Sequence, residues 1–225
     1  MNIVISYATN KFKKSQDILK EQSLIKGADS VINYGPSDLD NDFVKKNIHI
    51  LNSSRGGGFW LWKPYVILKT LLNCEYGDKV LYCDSGMYPI ENLNYLFDLT
   101  NEKKPIILFQ VHGKKIKDWT HNKCIEILNF DKNLLDLEQT CGAPQLYTKT
   151  EESIDFVKQV LSFCEINEAI NDFGDPNHRH DQSIISMLAV QKKIEIFRDP
   201  SQWGSNYQRN NSKYPQIFNL HRGNV

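Results

Sequence analysis

Strand-like and helix-like segments alternate through the first half of the chain, and this pattern constrains the fold more than any other feature. "NIVISYA" (2–8) is a continuous apolar run of the kind buried on both faces of a sheet. "KKSQDILKEQSLIKG" (13–27) follows, with Ile18, Leu19, Leu24 and Ile25 at helical spacing and a closing glycine. "SVINY" (30–34) reads as a second strand, 37–51 as an amphipathic helix, and "KVLYCD" (79–84) as a third strand. A helix is expected to begin near Pro64, since proline suits a first helical turn. Further on, 91–101 reads as a helix, 105–111 as a strand, 144–149 as a strand, 151–166 and 181–191 as helices, and 194–197 as a short strand. Such alternation predicts an α/β fold around a mostly parallel sheet with helices on its faces. No repeat or linker divides the 225 residues, so a single domain is expected.

Composition narrows the function classes. Twenty-seven basic side chains balance 27 acidic ones, which argues against a nucleic-acid binder. Five cysteines, an odd number with no CxxC pair, predict neither a disulfide framework nor a zinc knuckle, and a reducing cytoplasm is the expected location. The N-terminal residues lack the pattern of a signal peptide, and no run is long enough for a transmembrane helix.

Open α/β sheets bind ligands beyond the carboxyl ends of their strands. Ser6, Tyr7 and Ala8 close the first strand, and Asp84, Ser85 and Gly86 close the third. Asp84 suits a hard divalent cation bridged to phosphates, although D-S-G is also an ordinary turn. "RGGGFWLWKP" (55–64) is costly in chain entropy. Its amides form either an anion cradle flanked by Arg55 and Lys63 or a flexible turn before core tryptophans. "HRHDQS" (178–183) offers His178, His180, Asp181 and Gln182, as a cluster facing a cleft or as a helix cap. His221 and Arg222 lie near the end of the chain, where a histidine is ordinarily a solvated residue.

"SYAT" (6–9), "RGGGFWLWKP", "YCDSG" (82–86) and "HRHDQS" together resemble glycosyltransferases of the GT-A type that use nucleotide sugars, especially small bacterial and viral polysaccharide-modifying ones. The resemblance implies a single GT-A domain, with a nucleotide-binding half over 1–110 and an acceptor-binding half over 111–225. It implies transfer of a hexose from a nucleoside-diphosphate sugar, with UDP expected, to a glycan. Ser6, Tyr7 and Ala8 would meet the nucleotide, with Tyr7 against the base. Arg55, Lys63, Ser85, Gly86, His180 and Arg222 would contact the nucleotide sugar or its diphosphate. Asp84 would hold Mn²⁺ or Mg²⁺. Gly86 stands where the common D-x-D pattern has its second carboxylate, so His221, in "LHRG" (220–223), is expected as the further metal ligand. Asp181 would be the base in an inverting reaction, or Asp181 or Gln182 would steady the sugar in a retaining one. A metal-dependent phosphohydrolase and a non-catalytic nucleotide or glycan binder are the competing classes.

Overall fold

The computed structural model describes residues 1–221. Its strands are β1 Asn2–Tyr7, β2 Ser30–Tyr34, β3 Lys79–Tyr82, β4 Met87–Pro89, β5 Ile106–Lys115, β6 Glu138–Thr148, β7 Ile196–Phe197 and β8 Phe218–Leu220. The helices are α1 Lys13–Ile25, α2 Asn41–Leu51, α3 Gly56–Phe59, α4 Trp62–Asn73, α5 Asn94–Phe97, α6 Asn122–Ile127, α7 Glu151–Cys164, α8 Asn167–Ile170 and α9 Asp181–Gln191. Six strands form one sheet in the order β2-β1-β3-β6-β5-β7. All run the same way except β6, which is antiparallel to both β3 and β5. β4 and β8 pair separately.

The period-2 geometry of the strands sorts the core into two layers. Ile3, Ile5, Val80, Tyr82, Ile106 and Leu108 pack on one face, with Ile67 and Leu71 of α4, Val157 of α7 and Ile184 of α9. Val4, Leu81, Cys83, Ile107 and Phe109 pack on the other, with Leu19 of α1, Leu96 and Phe97 of α5, and Phe218 of β8. Burial on both faces explains why these strands read as unbroken apolar runs.

Four elements depart from the sequence expectations. The helix expected over 91–101 shrinks to Asn94–Phe97, because Leu93, Leu96 and Phe97 are all buried and the chain turns once they are covered. The strand expected over 144–149 begins at Glu138, and its Gly-Ala-Pro interruption lies inside β6. β5 extends to Lys115 through two register shifts against β6, so a division at residue 110 falls inside that strand. The late strand is only Ile196–Phe197.

The three glycines have a conformational cause. Gly56, Gly57, Gly58, Phe59 and Trp60 all have positive φ (58°, 58°, 97°, 52° and 61°), so α3 is a left-handed turn. Each L-residue in that region costs roughly 1–2 kcal/mol, and glycine escapes the cost. A Cβ at Gly56 would stand 2.4 Å from the Trp60 ring, and one at Gly58 would stand 2.7 Å from the Leu51 Cα. Gly58→Ala is therefore expected to destabilise the fold by about 2 kcal/mol or more. In a domain of this size that lowers Tm by roughly 4–8 °C or more, readable by thermal melting.

Candidate active site

Lys63 lies in the first turn of α4 and is almost wholly buried, at 3% exposure. Its ammonium stands 3.1 Å from Asp181 Oδ2 and 3.6 Å from Asp84 Oδ1, and it donates to the Gly142 carbonyl at 3.1 Å. Three acceptors thus surround its three N–H groups. Burial works against the charge, but Asp181 and then Asp84 outweigh it, and the lysine titrates above its usual value. Asp181, the first residue of α9, is also buried. Burial pushes its carboxyl up to about 6, against the pull of Lys63. The Tyr82 hydroxyl, at the end of β3, donates to Asp84 Oδ1 at 2.8 Å and fixes the carboxylate. Both contacts on Asp84 fall on Oδ1, which leaves Oδ2 for a ligand.

A second group surrounds His180. This residue precedes α9 at φ 53° and ψ −122°, and the bend turns its ring toward α8. Nδ1 lies 2.8 Å from the Ile170 carbonyl, so Nδ1 carries the proton and donates it. Nε2 is then a bare acceptor, and Arg55 Nε donates to it at 2.8 Å. Arg55 Nε also lies 3.1 Å from Asp172 Oδ2. Phe59 stacks on the imidazole at 5.0 Å between ring centres, and Trp60 lies at 5.3 Å. The left-handed turn thus builds the box that holds His180, and His180 holds Arg55. Burial is the main reason the His180 pKa is pushed down to about 4, so the ring is neutral at physiological pH.

From these two groups Lys63, Asp84, Gly142, Asp181, Arg55, Trp60 and His180 line a cavity of about 1060 Å³. It contains six of the expected residues: Arg55, Lys63, Asp84, His180, Asp181 and Gln182. Gln182 is oriented by a 3.0 Å bond from its Nε2 to Gln139 Oε1. Other expectations are not met in the same way. Tyr7 is core, stacked on Trp62 at 4.0 Å and 15°, so it is not an open platform for a base. Ser6 is fully buried with its hydroxyl on Asn33 Oδ1, and the Ala8 amide is spent on the Tyr34 carbonyl. Ser85 and Gly86 adjoin the cavity through Asp84 but do not line it. His178 is buried, bonded to the Ala169 carbonyl at 3.0 Å, and it faces α8 rather than the cavity. His180, not Asp181, is the N-cap of α9 and its side chain makes no cap bond; the Asp181 carboxylate accepts from the Gln182 amide and pairs with Lys63 as well. Arg222 lies outside the described residues.

His221 follows β8, and β8 pairs with β4 just after the Asp84 turn. Its amide donates to the Gly86 carbonyl at 3.0 Å, and its ring stacks on Tyr88. Among the described residues no three His, Cys, Asp or Glu side chains converge into a metal cage. Asp84 Oδ2 is an oxygen donor of the kind a hard divalent cation takes when phosphate and water fill its other positions. Sequence reasoning missed Tyr82, Gly142 and Asp172 as parts of the site. Gly142 had a signal, a glycine before Ala-Pro in an apolar strand, which marks a close backbone approach. A Cβ there would stand 3.2 Å from the Lys63 ammonium and 3.4 Å from Gln182 Oε1.

No family model matches the chain, and no curated protein matches it in sequence. Solved structures match it along nearly its whole length. A glycosyltransferase involved in the glycosylation of the major capsid of PBCV-1 superposes with a TM-score of 0.55 at 11% identity, covering 98% of this chain and 94% of that one. The fold is GT-A. An active-site mutant of LgtC gives a TM-score of 0.52 at 11% identity over 97% of this chain and 86% of that one. Mouse xyloside xylosyltransferase 1 gives 0.51 at 8% identity, covering 99% and 98%. In this GT-A sheet Asp84 and the cavity lie beyond the carboxyl end of β3, where open α/β sheets bind ligands. Among the described residues no helix is long and apolar enough to cross a membrane.

Proposed function

We propose that the protein is a glycosyltransferase moving a hexose from a nucleoside-diphosphate sugar, with UDP the expected nucleotide, to a hydroxyl of a glycan. The observation that carries this reading is the charged Lys63 ammonium at the base of a large cavity, held between Asp84 and Asp181. When the glycosidic bond breaks, negative charge grows on the leaving diphosphate. A fixed, buried ammonium stabilises that charge with little reorganisation. Arg55, already oriented by His180 and Asp172, adds a second cation. Asp181 is mostly ionised at neutral pH and still basic enough to take the acceptor proton, as a general base requires. Should the reaction retain configuration instead, Asp181 and Gln182, which both line the cavity, would steady the sugar. Asp84, with His221 beside its turn, would hold Mn²⁺ or Mg²⁺, which would neutralise diphosphate charge.

A thermal-shift panel of nucleotide sugars with and without Mn²⁺ tests the reading, because a ligand of the native state raises Tm. One donor should stabilise the protein selectively and release nucleoside diphosphate in step with glycan formation. Release of inorganic phosphate, or no shift with any donor, would count against it. Asp84→Asn should keep the fold, since an amide still accepts from Tyr82, yet need at least ~10-fold more Mn²⁺ for half-maximal activity, with His221→Ala shifted the same way. Unchanged titrations in both variants would remove the metal assignment.

A further inference from the structure

A second cavity of about 440 Å³ adjoins the main one, and Arg198, Tyr207, Gln208 and Arg209 line both. Three cations, Arg198, Arg209 and Lys213, line the second cavity, and none of its lining residues is acidic. Arg198 is buried, and its guanidinium is bonded to carbonyls only. Nη1 donates to Gly204 at 3.0 Å and Nη2 donates to Tyr214. Arg209 Nη1 donates to the Ile196 carbonyl at 3.0 Å. Two acids lie nearby, and Asp199 is close enough to Arg198 to feel its charge. Glu195 binds Lys104 at 2.7 Å and Asn211 at 2.9 Å, and Asp199 accepts from the Ser201 amide. Among the described residues none of the three cations forms an ion pair with a carboxylate. Carbonyl dipoles solvate a guanidinium without cancelling its charge, and three cations against the single carboxylate of Asp199 leave the cavity net positive.

Two aromatic rings lie along these cavities. Trp203, 59% exposed, lines the main cavity, and Tyr207, 41% exposed, lines both and lies against His112 at 3.7 Å between ring centres with the planes tilted by 31°. Partly exposed aromatic rings along a polar groove offer apolar area that suits the C–H face of a pyranose.

We infer that the second cavity binds an anionic group, a carboxylate or a phosphate, carried by a sugar that stacks on Trp203 and Tyr207. Only the naming of that sugar as the acceptor rests on the transferase reading. Arg198 provides the buried charge and holds the loop, while Arg209 and Lys213 gather the anion from solvent.

Calorimetric titration with methyl glucuronide, glucose 1-phosphate and neutral methyl glucoside tests this with neither donor nor metal present. At least one charged probe should bind roughly 10-fold more tightly than the glucoside and weaken as salt is raised. Which probe prevails tells a carboxylate from a phosphate. The double variant Arg209→Gln/Lys213→Gln should lose that preference and keep its Tm, since both side chains are exposed. Trp203→Ala should weaken charged and neutral probes alike. The inference is overturned if no charged probe binds at millimolar concentration, if the glucoside binds as tightly, or if the double variant keeps the preference. Failure of the nucleotide-sugar panel would leave this result standing, and failure here would leave the panel standing.

Discussion

A Lys63→Met variant is expected to lose at least roughly 10²–10³-fold in turnover, the scale seen when one preorganised donor to a developing negative charge is removed. Methionine fills similar space but leaves Asp84 and Asp181 without the ammonium that now separates them. Breaking a buried ion pair from one side costs on the order of 3–5 kcal/mol. Part of that cost can be escaped, because Asp181 already holds its proton up to about pH 6 and loses its stabilising neighbour in the variant. Its folded pKa then rises further above the unfolded value. The proton-bound form supports the fold fully below the unfolded carboxyl pKa, and that support is lost as pH rises through the folded pKa. The Tm deficit of Lys63→Met should therefore be small at pH 5 and large at pH 8. Near-wild-type turnover, with the same deficit at both pH values, would place Lys63 outside the chemistry.

Asp181→Asn should lower turnover by roughly 10²–10⁴-fold, as loss of a general base does, with donor affinity largely kept. In the wild type, kcat/KM should rise through about pH 6 as the carboxyl ionises, and the variant should lack this limb. Stability supplies an independent readout. The wild-type folded pKa of about 6 lies above the usual carboxyl value of 3.8, so the contribution of Asp181 is greatest below pH 4 and erodes toward pH 7. Asparagine cannot titrate, so its Tm curve should be flatter over that window. A variant with unchanged turnover but weaker donor binding would make Asp181 a structural group.

What could be read from the sequence follows from where the causes lie. β1, β3 and the start of β5 were legible because burial on both faces imposes an apolar run that any reader can find. Asp84 was legible because it interrupts such a run at a strand exit. The glycines of 56–58 announced an unusual backbone, and five successive positive φ values are the reason. The direction of β6 had no local signal, because pairing partners decide it, and Gly-Ala-Pro disguised the strand. Tyr7 read as a ligand platform because it ends a strand, but Trp62, 55 residues along, covers it. Asp172 and Tyr82 join the site through contacts with distant residues, and no residue pattern near either one encodes those contacts.

The bond from Arg55 to His180 spans 125 residues of chain, and that from Lys63 to Gly142 spans 79. Contacts with such separations form after the loops between them have closed, which is slow, so they belong to the last stage of folding. The same ordering runs backwards when the protein loosens. α9 brings Asp181 to the site while packing against β6 and α7, and a small displacement there would part Lys63 from Asp181 with every strand still paired. Far-ultraviolet circular dichroism would then report an intact molecule that has already lost its chemistry. In a denaturant titration, activity should fade at lower urea than helix signal does, and during refolding it should return last.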